Sequence, residues 1–243
     1  LENEVGTATI SQYFQAVIDR YNESDVRGPG NEGNGTKNEK QWGWFVGQIY
    51  KSDGSPALDE NQLNACITNS IKSLNDATWN DGARLLKYEY DKVGAYQYSE
   101  NDFVLFRYAD VLWMYEEAIL RGAVGYTTLR NSDDFKKMLA RAFAYSADNL
   151  EGQLAAFYNA YPESELFTLQ GILDERGREF AWENVRRRDL IRCGKFGDPS
   201  YVQYVTATDK YREWFPIPYS VLEKAVRDEN GMPIWTQNNG YAN

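Results

Sequence analysis

Apolar residues recur at helical spacing near the start of the chain, at Ile10, Phe14, Val17, Ile18 and Tyr21. Residues with this spacing share one face of a helix, so the pattern predicts a helix over residues 8–23. The following stretch, 27–35, contains four glycines and a proline. Such a composition is typical of a loop.

The second half of the chain carries longer amphipathic patterns. They predict helices over residues 103–121, 134–145, 150–161, 168–192 and 221–227. We expect Asp102 to cap the first of these helices and Gly122 to end it. Ser132 or Asp133 is expected to cap the second helix.

The later helices have boundary signals of their own. Pro162 is expected to stop the third helix, and Gly194 follows the end of the fourth. Ser220 and Glu223 have the spacing of a capping box, which predicts the start of the last helix.

Residues 41–98 show no sustained periodicity. The aromatic stretch 41–50 is compatible with a strand or with an aromatic loop, 51–56 has the composition of a turn, and 84–90 predicts a short strand. The pattern as a whole therefore predicts a mainly α fold with long irregular loops and few short strands.

Charge and composition exclude several classes of protein. The net charge is −10 and the pI is about 4.7, which disfavours binding to nucleic acid or to anionic lipid. The chain has no histidine, so Ser-His-Asp triads and histidine-based zinc sites are impossible. It has no apolar run of about 18 residues for a membrane span, and Leu1–Val5 lacks the features of a signal peptide.

Two cysteines, Cys66 and Cys193, exclude a disulfide scaffold. We favour two buried thiols, and a single bridge between the two cysteines remains open.

Residues 172–192 are dense in both signs of charge. Glu175, Glu179 and Glu183 follow one another at one-turn spacing. Two such carboxylates could act as acid and base in glycoside hydrolysis. Alternating Glu and Arg at helical spacing more often form ion pairs, so we expect Glu179 and Glu183 to be tied to arginines.

Four motifs resemble those of one family. Residues 107–118, R-Y-A-D-V-L-W-M-Y-E-E-A, closely resemble the R-Y-A-D-V-L-L-M-Y-A-E-A helix of the SusD/RagB family. Residues 172–195 resemble its I-x-D-E-R-x-R-E-L-A-x-E-x-x-R-x-x-D-L-x-R-x-G-K pattern, with Phe180 for Leu and Cys193 for Trp. A third motif is matched at the C-terminus, by W-F-P-I-P at 214–218 together with Q-N-N-G-Y at 237–241. A fourth is matched upstream, by D-V-R at 25–27.

The resemblance covers residues 24–241 and implies that residues 1–243 form one SusD-like C-terminal domain. It also implies that the chain lacks the family's tetratricopeptide-like N-terminal half, and with it a lipid anchor to the cell surface. The implied function is that of a non-catalytic outer-membrane protein of Bacteroidetes. Such a protein captures an oligosaccharide, or a peptide as in RagB, for a SusC-like TonB-dependent transporter. No cofactor and no nucleic acid are implied.

Ligands of the family are held by aromatic platforms and polar side chains. The candidates here lie in the irregular region, where functional residues concentrate: Trp42, Trp44, Trp79, Tyr96 and Tyr98. An ordinary core role is the alternative for each of them. Trp113, Trp182 and Trp214 lie in the family's structural motifs and are expected in the core. A scaffold that only docks on the transporter remains a further alternative.

Overall fold

The computed structural model describes most of the chain. The described residues are 20–22, 24–27, 43–51, 53–59, 61–69, 76–88, 101–143, 147–198 and 209–241. Most of the predicted helix over residues 8–23 and of the loop over 27–35 lies outside them. Contacts divide the chain into two compact units, Leu1–Arg186 and Arg187–Asn243. The assignment of residues 1–243 to one domain stays a prediction.

Helices make up most of the regular secondary structure in the described ranges, as predicted. They are α1 (Tyr108–Leu120), α2 (Asp133–Ala140), α3 (Leu150–Ala160), α4 (Glu163–Leu166), α5 (Leu169–Glu179), α6 (Arg186–Arg192) and α7 (Tyr219–Glu223). Short 3₁₀ turns cover Arg141–Phe143, Ala147–Asn149 and Lys210–Glu213. The mainly α fold class is therefore confirmed.

Helix α1 begins five residues later than the sequence predicts. Asp102 does not cap it; the N-cap is Arg107, whose backbone is extended (φ −120°, ψ 157°). The Arg107 guanidinium binds Glu183, so a tertiary contact marks the start of the helix. The end is as predicted, because Gly122 has a positive φ of 97° that a glycine adopts without strain.

Helix α2 is capped by Ser132, as predicted. The Ser132 hydroxyl accepts a hydrogen bond of 3.3 Å from the backbone N–H of Phe135. This bond satisfies one of the amides that the first turn leaves without a helical partner.

Replacing Ser132 by Ala is expected to lower the free energy of unfolding by about 1 kcal/mol, because the cap is lost. Urea denaturation followed by circular dichroism measures the change. Ser220→Ala is the control, since Ser220 lies inside α7 and Pro218 is the N-cap there. An equal loss in both variants would contradict this assignment of caps.

The predicted capping box of Ser220 and Glu223 is wrong, because the N-cap of α7 is Pro218 and no side chain caps this helix.

The predicted single helix over residues 168–192 is also wrong. Thr168 caps α5 by accepting a bond of 2.9 Å from the Gly171 amide, but α5 ends at Glu179 and α6 begins at Arg186. Trp182 and Asn184, between the two helices, have positive φ angles of 63° and 61°. Left-handed residues cannot continue a right-handed helix.

The core of the first unit is aromatic. Trp113 of α1 is fully buried, and its ring lies 5.1 Å from Phe135 of α2 in an edge-to-face contact. Phe135 in turn lies 6.0 Å from Phe167, which follows α4. The expected core position of Trp113 is confirmed. Trp182 and Trp214 are 71% and 70% exposed, so the expectation that they lie in the core is wrong.

A buried ion pair joins two helices within this core. Arg176 of α5 is 1% exposed, and its Nη1 donates to Asp110 Oδ1 of α1 at 2.6 Å. Both residues belong to the two motifs that first suggested a family. The pair fixes how α1 and α5 pack.

The described part of the irregular region contains four short strands, β1 (Gly43–Phe45), β2 (Gly47–Gln48), β3 (Cys66–Ile67) and β4 (Arg84–Leu86). Strand β1 pairs antiparallel with β4, and β2 pairs antiparallel with β3. Residues 43–45 and 47–48 are thus strand rather than aromatic loop, and the strand predicted over 84–90 is present over Arg84–Leu86 as β4. The predicted turn is confirmed by a bond of 2.9 Å from Lys51 N to Ser55 O.

In the second unit, the C-terminal motifs fold onto each other. The Gln237 side chain bonds both backbone groups of Ile217, at 2.7 and 2.9 Å. The Tyr241 hydroxyl donates to Trp214 O at 2.8 Å. The closing Q-N-N-G-Y segment therefore holds the W-F-P-I-P turn in place.

Cys66 is exposed and Cys193 is partly exposed, and both are thiols. The preference for thiols over a bridge is confirmed, but their expected burial is wrong.

Within the described ranges, no helix has the length and apolar character needed to cross a bilayer.

Candidate functional site

Strand β1 positions the first charged residue of the site. The backbone N–H of Trp44 donates to Arg27 O at 3.0 Å. Gly43 makes this approach possible, because a Cβ at that position would lie 2.1 Å from the same oxygen. Gly43 also has a positive φ of 99°, which glycine adopts without strain.

Arg27 joins three carboxylates. Its Nη2 lies 2.7 Å from Asp25, and its Nη1 lies 2.5 Å from Glu175 and 3.2 Å from Glu179. Tyr161 adds a bond of 2.8 Å from its hydroxyl to Asp25. Arg27 thus binds two glutamates that lie 148 and 152 positions further along the sequence.

Further cations surround the same carboxylates. Arg107 binds Glu183 at 2.6 Å and Glu179 at 2.9 Å, and Arg141 also binds Glu179. We call the whole group the charge cluster; its members are Asp25, Glu175, Glu179, Glu183, Arg27, Lys87, Arg107, Arg141 and Arg178. The expectation that arginines tie down Glu179 and Glu183 is confirmed.

These contacts set the ionisation of the two glutamates. Burial opposes the charge of Glu179, but Arg141, Arg27 and Arg107 outweigh it and lower its pKa from 4.5 to about 2. Burial likewise opposes the charge of Glu183, and hydrogen bonds from Arg107 and Lys87 lower its pKa nonetheless. Both side chains are therefore carboxylates at neutral pH.

The turn between α5 and α6 is held by two of the cations. Lys87 Nζ donates to the carbonyl oxygens of Glu179 and Ala181 at 2.5 and 3.2 Å. Arg107 Nη2 donates to the same Glu179 carbonyl at 3.1 Å. Cations are favourable at a helix C-terminus, where carbonyl groups lack partners. They stabilise the left-handed turn that presents the exposed Trp182.

A cavity of about 430 Å³ opens beside the charge cluster. It falls in the range of about 300–1,000 Å³ typical of small-ligand sites. Its described lining is Tyr21, Val26, Arg27, Gly43, Trp44, Leu85, Lys87, Tyr88, Arg107, Arg141, Arg178, Glu179 and Ala181. Aromatic, aliphatic and charged side chains thus face one space.

Trp182 lies beside this cavity. Its ring meets Trp44 edge to face at a centroid distance of 6.2 Å, and its neighbour Ala181 lines the wall. The Trp44 indole N–H donates to the Tyr21 hydroxyl at 3.4 Å. A non-glycine residue at positive φ is strained, and strain of this kind concentrates at functional sites.

Two of the predicted binding residues lie within the described ranges, and one of them lines the cavity. Trp44 lines the cavity but is only 4% exposed, whereas Trp79 is 42% exposed and does not line it. Trp42, Tyr96 and Tyr98 lie outside the described residues.

The cavity also contains residues that sequence reasoning missed. Tyr21, Lys87 and Tyr88 line it, and Trp182 is exposed where a core position was expected. One signal was available: a segment with Glu175, Glu179 and Glu183 at one-turn spacing needs cations from elsewhere in the chain. The residues supplying those cations are visible only in three dimensions.

Comparisons with known proteins agree with the four motifs. A model of the SusD family matches residues 8–241. No curated protein matches the chain, and no solved structure matches it. The family model covers both compact units and every member of the charge cluster. The chain therefore belongs to the SusD family, whose members are generally non-catalytic nutrient-binding proteins of the outer-membrane surface.

Proposed function

We propose that this protein captures an oligosaccharide at the cell surface and passes it to a SusC-like TonB-dependent transporter. The observation that carries the proposal is the family match over residues 8–241. The cavity beside the charge cluster supports it, because it combines a concave shape with aromatic and polar lining residues.

We assign the aromatic part of the site to Trp44, Trp182 and Tyr88. Tyr88 lines the cavity and is 52% exposed, and Trp182 offers a large exposed ring beside it. An indole face packs well on the apolar face of a sugar ring. Trp44 supports Trp182 through their edge-to-face contact. It offers no face of its own to a ligand, since it is buried.

The charge cluster favours binding over glycoside hydrolysis. A general acid in that reaction needs a carboxyl group whose pKa is raised so that it carries a proton. The pKa of Glu179 is lowered to about 2, and that of Glu183 is lowered as well. Two carboxylates held by arginines are suited to positioning the chain, not to donating protons.

The test is calorimetric titration of the protein with a panel of neutral and acidic oligosaccharides and of peptides. Trp182→Ala is expected to weaken saccharide binding about tenfold, equivalent to about 1.4 kcal/mol. Because Trp182 is 71% exposed, we expect the variant to fold as the wild type does. Tyr126→Ala is the matched control, because Tyr126 is 64% exposed and does not line the cavity.

Unchanged binding in Trp182→Ala would contradict the assignment of this site, and loss in Trp79→Ala would place the platform at Trp79 instead. Binding of peptides alone would replace the saccharide by a peptide. If nothing in the panel binds but the protein still co-purifies with the transporter, the scaffold alternative is favoured.

A further inference from the structure

We infer that the cavity selects saccharides carrying carboxylate or sulfate groups over neutral saccharides of the same length. This inference rests on the proposed function and adds a charge to its ligand. It comes from how the two signs of charge are distributed between the interior of the charge cluster and its surface.

The carboxylates of the charge cluster lie inside it. Their side chains are 0% exposed for Asp25, 1% for Glu175, 4% for Glu179 and 8% for Glu183. Glu179 is the one acidic residue in the described lining of the cavity. A ligand entering the cavity therefore meets little carboxylate surface.

The cations of the charge cluster lie outside the carboxylates. All five line the cavity, and their side-chain exposures are 10% for Arg178, 14% for Arg27, 18% for Arg107, 20% for Lys87 and 44% for Arg141. Every cation is more exposed than any of the four carboxylates. Five positive groups against four negative ones also leave the described cluster with a net charge of +1.

Arg141 is the cation best placed to bind a ligand. It is the most exposed of the five, and its one carboxylate partner among the described residues is Glu179. Glu179 also binds Arg27 and Arg107, so Arg141 shares this partner with two other guanidinium groups. A guanidinium has five N–H donors in a planar fork that fits carboxylate and sulfate oxygens.

The rest of the chain makes this positive wall selective. The net charge of the whole chain is −10, so the chain as a whole repels an acidic saccharide. A concave site with low-dielectric walls concentrates the field of its own charges. The exposed cations of the cavity therefore attract such a ligand locally.

The experiment compares three saccharides of equal length: an oligogalacturonate, its fully methyl-esterified form, and a galactan oligomer carrying sulfate groups. We expect the protein to bind the acid and the sulfated form about tenfold more tightly than the ester. The preference should decrease as salt is added, because salt screens exposed charges. The ester controls for sugar identity and chain length, since it differs from the acid by the loss of the charge and one added methyl group per sugar.

Arg141→Gln is expected to abolish most of this preference, and Arg141→Lys, which keeps the charge but not the planar fork, to retain part of it. Arg121→Gln is the matched control, because Arg121 is 43% exposed, pairs with Glu117 and does not line the cavity. Circular dichroism verifies that each variant is folded. If Arg141→Gln does not fold, the comparison of acid and ester in the wild-type protein still tests the preference for charged saccharides.

Equal affinity for acid and ester would overturn the inference and leave the proposed function intact. A preference for the acid that Arg141→Gln leaves unchanged would overturn its assignment to this cavity. Binding of no saccharide at all would overturn the proposed function and the inference together. A preference for the carboxylate over the sulfate would support the inference and narrow the ligand to uronate-containing chains.

Discussion

Replacing Arg27 by Met is expected to lower the free energy of unfolding by about 3–5 kcal/mol. The substitution leaves Asp25, Glu175 and Glu179 without the guanidinium that they share. All three side chains are nearly inaccessible to water, so solvent cannot replace the lost partner. An uncompensated buried charge is among the most destabilising changes that a single substitution makes.

Urea denaturation at neutral pH measures this loss. Arg27→Lys keeps the charge but not the planar fork, so we expect it to lose part of the same free energy. Arg121→Met is the control, because the side chain of Arg121 is 43% exposed and its loss should cost less than the loss of Arg27, which is 14% exposed. Equal effects in Arg27→Met and Arg121→Met would show that the charge cluster is not needed for stability.

Glu179→Gln is the second substitution with a large expected effect, a loss of about 3 kcal/mol at pH 7. The value follows from the pKa of Glu179, which folding lowers from 4.5 to about 2. A lowered pKa means that the folded state binds the proton less tightly than the unfolded state. The contribution is therefore present above about pH 4.5 and is lost as the pH falls towards 2.

Denaturation curves recorded from pH 7 down to pH 2 test the sign. The difference in unfolding free energy between wild type and Glu179→Gln should be constant above about pH 5 and shrink below it. Glu229→Gln, at an exposed position, should show little difference at any pH. A difference that grows on acidification would mean that the arginines do not hold Glu179 in its charged form.

Sequence patterns correctly predicted the helix boundaries that depend on interactions between residues close in the chain. Ser132 caps α2 and Gly122 ends α1 through interactions within a few residues, and both were predicted. Asp102 is as good a cap by composition, but Arg107 binds Glu183 and the helix starts there instead. The break after Glu179 has the same origin, since Lys87 and Arg107 bind the carbonyl groups at that point.

The candidate site shows the same division. The density of glutamate and arginine in residues 172–192 predicted ion pairs, and the structure contains them. The sequence did not show which distant cations complete them, because Arg27, Lys87 and Arg107 come from three separate segments. Nor did it show that Trp182 is exposed, since an aromatic in an amphipathic pattern is more often buried.

The spacing of the charge cluster along the chain has a consequence for the order of folding. Arg27 meets Glu175 and Glu179 across 148 and 152 positions, whereas α1, α2 and α3 pack through contacts between neighbouring segments. Closing so long a loop costs entropy before any contact repays it. We therefore expect the helices to collapse first and the ion pairs to close last. Interactions that form after the transition state slow unfolding rather than speed folding. We therefore expect the charge cluster to slow the unfolding of the native protein.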